Sequence, residues 1–348
     1  MVSPIIVPPP INQINPKYVE AGMEPKFVEL YNKYNVGRLA THQVPIEEYR
    51  KDPMKYTIAY GRETVAFDGK TEDLKVPVEG GEIIVRYYVP KEALDDPKPR
   101  PTFIDFHGGG WVFGGLGTDD DYCKRVCNET GAIAFNVDYR LAPEFPFPTP
   151  LTDCWDAFNY IIDRADKFKV DKSRVAVGGC SAGGHLSAVI AHKARDVGIK
   201  ICYQVLGVPC CDATAVTPDG SKVAPGCPYP SWTENYDNPS LHFDRMSWFY
   251  LHFLGSPRPA KYDNDPEVNV IQSTNFKDLA PAIIVTAEFD VLRDEGEQYG
   301  KLLQDNGVEC EVVRMPGTVH PFMLMDDFLE SGKTYNRITI AGLKKAFA

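Results

Sequence analysis

The residues best placed to do chemistry in this chain centre on Ser181, within Gly179-Cys180-Ser181-Ala182-Gly183. The run from Val175 reads as a strand turning sharply into a helix, and G-x-S-x-G at such a junction is the nucleophile-elbow pattern. A serine held above a strand end needs a strained backbone and neighbours without bulk, which the glycines supply. The helix that follows aims free N–H groups and the positive end of its dipole at the same point. Alone, the pattern arises by chance in about one chain in ten of this size. It becomes chemistry only if the chain also supplies a base, an acid and donors for an oxyanion.

A serine hydroxyl is a weak nucleophile until a base takes its proton. After such an elbow the partners follow in the order carboxylate, then histidine. His185 and His192 lie on the elbow helix itself, and His242 and His252 belong to a later insertion. His320 follows the last expected strand, in a loop at the sheet edge where ligand-contacting groups gather. It is the expected general base. Three carboxylates follow the preceding strand: Glu288, Asp290 and Asp294. Asp294 reads as a helix-start residue near an N-cap. Asp290 is favoured over Glu288 to orient the histidine, on position alone. His107-Gly108-Gly109-Gly110 lets the backbone approach a substrate closely and turn its amides inward. The amide of Ala182 would be a further donor. A phosphate cradle fits less well, because no G-x-G-x-x-G and no Walker lysine follows.

These residues need elements to position them. Glu82–Val89, after Gly80-Gly81, alternates as the second strand of a hairpin. Strands are then expected over residues 102–106, 132–137, 175–177, 202–208, 282–286 and 310–314. Helices are expected over 119–129, 153–168, after Ser181, over 294–306 and from Tyr335 onward. This alternation predicts an α/β fold with a mainly parallel sheet covered on both faces. Residues 1–60 carry one amphipathic helix near 26–34 and form an appended arm. The core occupies 61–209, breaks for a strandless insertion over 210–264, and resumes over 265–348. An insertion of that length is more often a functional lid than a linker.

The chain has 348 residues and a formal charge of −11, with no basic cluster to suit nucleic acid or an anionic membrane. No run is long and apolar enough to span a bilayer. The start, Met1 to Pro10, makes a poor signal peptide, so a cytoplasmic location is expected. The nine cysteines are scattered and read as reduced, packed thiols. Cys123 and Cys127 lack a second ligand pair, so no metal is expected.

Five ordered motifs together resemble the hormone-sensitive-lipase-like (HGGG-type) esterases of the α/β-hydrolase fold. They are His107–Trp111, Asp138–Pro148, Gly179–Gly184, Asp290–Gly296 and His320-Pro321-Phe322. The resemblance spans residues 75 to 345. It implies an eight-stranded sheet, a helical cap built from the N-terminal segment plus the insertion, and esterase activity without a cofactor. It assigns Ser181 as nucleophile, Asp290 as acid and His320 as base. Gly109, Gly110 and Ala182 would donate to the oxyanion, Gly108 would permit the turn, and the Asp138–Pro148 run would support the site from below. Two positions depart from the family pattern: Cys180 stands where Asp or Thr is usual, and Pro321 where Gly is usual. Cys180 is expected to be a packed neighbour of the site.

Trp111, Trp232, Trp248 and Phe249 are expected to wall the substrate pocket, which suits short- or medium-chain acyl or acetyl esters of small molecules. The alternatives are an acyltransferase or deacetylase on the same triad, or a binding protein of the same fold. The presence of all three triad residues disfavours the last. A homodimer through an edge strand is compatible with the resemblance.

Overall fold

The computed structural model describes residues 13–56 and 61–348, so the expectations for residues 1–12 and 57–60 lie outside it. Eight strands form one sheet in the spatial order β1-β2-β4-β3-β5-β6-β7-β8. They are β1 (Lys70–Val78), β2 (Gly81–Val89), β3 (Arg100–Phe106), β4 (Ile133–Asp138), β5 (Val170–Cys180), β6 (Tyr203–Gly207), β7 (Ala282–Phe289) and β8 (Cys310–Val319). β1 and β2 form an antiparallel hairpin, β2 joins β4 antiparallel, and every later pairing is parallel.

The helices are α1 (Pro16–Glu20), α2 (Pro25–Tyr34), α3 (Ile46–Lys51), α4 (Leu116–Thr130), α5 (Thr149–Asp163), α6 (Ala165–Phe168), α7 (Ala182–Asp196), α8 (Ser231–Glu234), α9 (Phe243–Leu254), α10 (Arg293–Asp305) and α11 (Glu330–Phe347). Alternate residues of the central strands feed two cores. Ile104, Phe106, Val175 and Val177 pack with Phe158, Leu186 and Leu303 of α5, α7 and α10. Phe103, Ala176 and Val205 pack with Val126, Tyr335 and Leu343 of α4 and α11. Both faces of the inner strands are therefore buried, and β3 is buried from Pro101 to Phe106 even though Thr102 and Asp105 interrupt its apolar residues.

Some boundaries differ from the sequence reading. The helix expected over 153–168 starts at Thr149 and breaks at Arg164, whose non-helical backbone (φ −108°, ψ 25°) separates α5 from α6. The closing helix begins at Glu330, well before Tyr335. Between Cys210 and Asn264 there is no strand, only an isolated bridge between Val216 and Val223. The N-terminal segment is tied to that insertion at Asp237. The Asp237 carboxylate accepts from Asn15 Nδ2 at 2.8 Å and Tyr18 Oη at 2.8 Å, and pairs with Lys17 Nζ at 2.6 Å.

Candidate active site

β5 ends at Cys180 and α7 begins at Ala182, so Ser181 is the single residue of the turn between them. Its backbone lies at φ 57° and ψ −119°, a region an L-residue occupies only under constraint. The constraint is visible. Ser181 N–H donates to the Gly207 carbonyl of β6 at 2.7 Å, and its carbonyl accepts from His185 N–H at 3.0 Å. A Cβ at Gly179 or Gly183 would collide with the carbonyl of Phe106, so only glycines let the elbow press against β3.

His320 follows β8 and Asp290 follows β7, placing both beside Ser181. His320 Nε2 lies 2.9 Å from Ser181 Oγ, and His320 Nδ1 lies 2.8 Å from Asp290 Oδ2. Asp290 is fully buried, and its other oxygen accepts from Leu292 N–H at 3.1 Å. The carboxylate holds a proton on Nδ1 and leaves Nε2 free to accept from the serine hydroxyl. The competing carboxylates are engaged elsewhere. Glu288 accepts from Gly317 N–H at 2.6 Å. Asp294 sits in the first turn of α10 rather than at its N-cap, where it accepts from Ser231 N–H at 2.7 Å.

Gly109 (φ 124°) and Gly110 (φ 60°) turn the loop after β3 through conformations that other residues resist. Among the described residues, neither amide donates to another protein group. The Ala182 N–H, at the first position of α7, is likewise one of the helix's orphan donors. A Cβ on Gly110 would strike the Phe249 ring, and one on Gly108 would lie 2.7 Å from Cys180 Sγ. The loop is supported from behind. The buried His107 ring bonds the Gly108 carbonyl at 2.8 Å and stacks on Tyr139 at 4.1 Å. Tyr139 Oη donates to the His107 carbonyl at 2.7 Å, and Ala142 N–H donates to the Trp111 carbonyl at 2.9 Å. Burial pushes the His107 imidazole below its ordinary value, so it stays neutral and can donate to that carbonyl.

A cavity of about 740 Å3 opens over Ser181. Its wall joins Gly108–Gly110 and His320 to Tyr49 and Arg50 of the N-terminal segment and to Ser240, Leu241, Arg245 and Phe249 of the insertion. Of the four aromatics expected there, only Phe249 lines it. Trp111 is buried, stacked on Phe253 at 4.2 Å, with its indole N–H donating to His185 Nδ1 at 3.3 Å. Trp232 is buried with its indole N–H on Glu295 Oε2 at 2.9 Å. Trp248 packs against Phe113 and His252 instead. A buried indole needs an acceptor for its N–H, and two of these tryptophans find one inside the protein, which removes them from the pocket wall.

Sequence reasoning missed Tyr49 and Phe113, whose tilted rings meet at 3.8 Å between centres on the cavity wall. Phe113 lies within the glycine-rich loop and could have been suspected, whereas nothing in the spacing announces Tyr49. It also missed the braces from the insertion. Ser240 Oγ donates to the His320 carbonyl. Asn235 Nδ2 donates to the carbonyls of Asp290 at 3.0 Å and Glu288 at 3.2 Å, and Ser231 Oγ donates to that of Val291 at 2.7 Å.

Cys180 is buried with Phe103, Val205 and Tyr335, and burial pushes its thiol well above the ordinary range. It therefore stays protonated and weakly reactive. Outside the site, His42, His242 and Asp244 place possible ligand atoms within 4.8 Å of one another. The neighbouring Arg245 works against a cation there, as its charge adds to burial in keeping both imidazoles neutral.

Residues 103–324 match the family described as the α/β hydrolase fold. An AB hydrolase superfamily protein of Schizosaccharomyces pombe is 32% identical over 342 residues, covering 95% of this chain and 96% of its own. The carboxylesterase NlhH of Mycobacterium tuberculosis is 34% identical over 284 residues, 81% of each chain. Among solved structures, the thermostable carboxylesterase EstE1 from a metagenomic library superimposes with a TM-score of 0.76. It is 33% identical and covers 88% of this chain and 98% of its own. No helix among the described residues is long and apolar enough to cross a membrane.

Proposed function

The chain belongs to the hormone-sensitive-lipase-like family of α/β-hydrolases, and from that premise we propose that it hydrolyses carboxylic esters of small molecules through an acyl-enzyme on Ser181. The observation that carries the reading is the continuous relay from Ser181 Oγ through His320 to the buried Asp290. Ser181 Oγ attacks the ester carbonyl while His320 Nε2 takes its proton. Asp290 keeps the imidazole in the accepting tautomer and stabilises the imidazolium that forms. The carbonyl oxygen gathers negative charge that the N–H groups of Gly109, Gly110 and Ala182 receive as donors. As the tetrahedral adduct collapses, the C–O bond to the alcohol breaks and His320 returns the proton to the departing oxygen. Water then repeats the sequence on the acyl-enzyme, with His320 as base, and releases the acid.

The N-terminal segment and the insertion act together as a cap, since both contribute wall to the cavity. Val112, Leu241, Phe249 and Leu324 give that wall apolar surface suited to short- or medium-chain acyl groups. The nine cysteines, none paired with another, support a reducing, cytoplasmic setting. p-Nitrophenyl esters of graded chain length, with Ser181→Ala as control, test the assignment. Turnover that peaks at short or medium chains and vanishes in the variant is expected. Absence of both turnover and fluorophosphonate labelling of Ser181 would overturn it.

A further inference from the structure

The cavity over Ser181 carries a charge pattern that ester hydrolysis does not require. Three arginines line it, Arg50, Arg62 and Arg245, while no aspartate or glutamate does among the described residues. This lies in a chain whose formal charge is −11. A guanidinium has five N–H donors, so a single carboxylate partner leaves others for a ligand.

Each arginine is held from behind by the protein. Arg50 Nη2 donates to Glu144 Oε2 at 2.7 Å and to the Ala142 carbonyl at 3.0 Å. Arg245 Nη1 donates to the Ser240 carbonyl at 3.3 Å, and its guanidinium lies 6.0 Å from the centre of the Phe249 ring. Arg62 is set deep, with 18% of its side chain exposed. Its Nη1 reaches Asp119 at 3.2 Å, while its Nε is buried and has no acceptor among the described residues. Behind it, the fields of Asp119 and Asp326 hold the guanidinium charged, while burial and Asp119 push the Asp105 carboxyl well above its ordinary range.

Resting on the esterase reading above, we propose that this cavity takes esters carrying a carboxylate on their acyl or alcohol part, with Arg62 receiving that carboxylate and Arg50 and Arg245 adding to the positive field. A neutral ester would use the apolar wall but gain nothing from the arginine-lined side. An ester with a second, unreacted carboxylate uses both.

Two matched pairs separate the two placements of the charge. 4-Nitrophenyl hydrogen glutarate against 4-nitrophenyl hexanoate places it on the acyl part. 4-Acetoxybenzoate against methyl 4-acetoxybenzoate places it on the alcohol part. In at least one pair, kcat/KM for the anionic ester is expected to exceed that of its neutral match by about tenfold. The ratio should fall as sodium chloride is raised, because the cavity is open to screening. It should also collapse toward unity in Arg62→Gln and be partly restored in Arg62→Lys. Glutarate and benzoate should inhibit hydrolysis of the neutral esters, more weakly in Arg62→Gln.

The proposal is overturned if both neutral esters are turned over in a Ser181-dependent way while neither anionic ester is preferred. It also falls if Arg62→Gln lowers both members of a pair equally, the pattern of a purely structural arginine. Failure of every ester together with failure of fluorophosphonate labelling would instead sink the esterase reading itself.

Discussion

Ser181 is the one residue on which the backbone, the helix dipole and the relay all converge. Ser181→Ala removes the attacking oxygen and is expected to cut kcat by about 10^4-fold or more, with the fold intact by circular dichroism. Asp290→Asn keeps the shape but presents an amide to Nδ1, favouring the wrong imidazole tautomer. A loss of about 10^4-fold in kcat with little change in KM is expected, measured on a p-nitrophenyl ester. A loss below tenfold would mean that another group orients His320.

At this scale the candidate site was largely legible. Ser181, Asp290, His320 and the glycine loop each sit in a short contiguous motif whose chemistry depends on local geometry. The tryptophans were not legible, because a sequence shows that an indole will be buried but not whether a ligand or a neighbouring side chain buries it. Trp111 and Trp232 found His185 and Glu295.

At the scale of elements, the insertion does more than cover the site. Through Ser231, Asn235 and Ser240 it grips the main chain of the loops that present Asp290 and His320. Asn235→Ala leaves the carbonyls of Asp290 and Glu288 without that donor and frees the acid loop to shift. A misplacement well under 1 Å should lower kcat about tenfold, while KM for a small ester moves little. Ser240→Ala should do the same through His320. In both variants the pH profile of kcat/KM should broaden or shift, which a change in stability alone would not produce.

The strands were readable from their apolar runs, and the position of the insertion from where those runs stop. The bonds between insertion and loops were not, since they join side chains to carbonyls more than fifty residues away. The break between α5 and α6 was hidden too, because Arg164 carries no helix-breaking signature.

For the whole molecule, two buried histidines of α7 set a pH limit. Burial is the main cause that lowers His185 and His192 to about 4, well below an unfolded value near 6.5. Between those values the unfolded chain binds more protons than the folded one, so stability is fully present above about pH 6.5 and falls as pH drops toward 4. Each of these imidazoles contributes up to ~1.4 kcal/mol per pH unit in that window. Urea unfolding at pH 7.5, 6 and 5 should show the midpoint falling with acidity. A flat midpoint would show that neither ring is held neutral.

The latch between the first helices and the rest of the chain bears on the order in which the molecule can be completed. Tyr18 packs edge-on against Phe289 at 5.4 Å and bonds Asp237, while Glu24 N–H donates to the Gly317 carbonyl at 2.8 Å. Phe27, Leu30 and Tyr31 share a core with Met315, Val319 and Phe322. On the ribosome these early residues emerge long before any of those partners exists. These N-terminal helices are therefore among the last elements to dock, and their apolar face is fully covered only once residue 322 has left the tunnel.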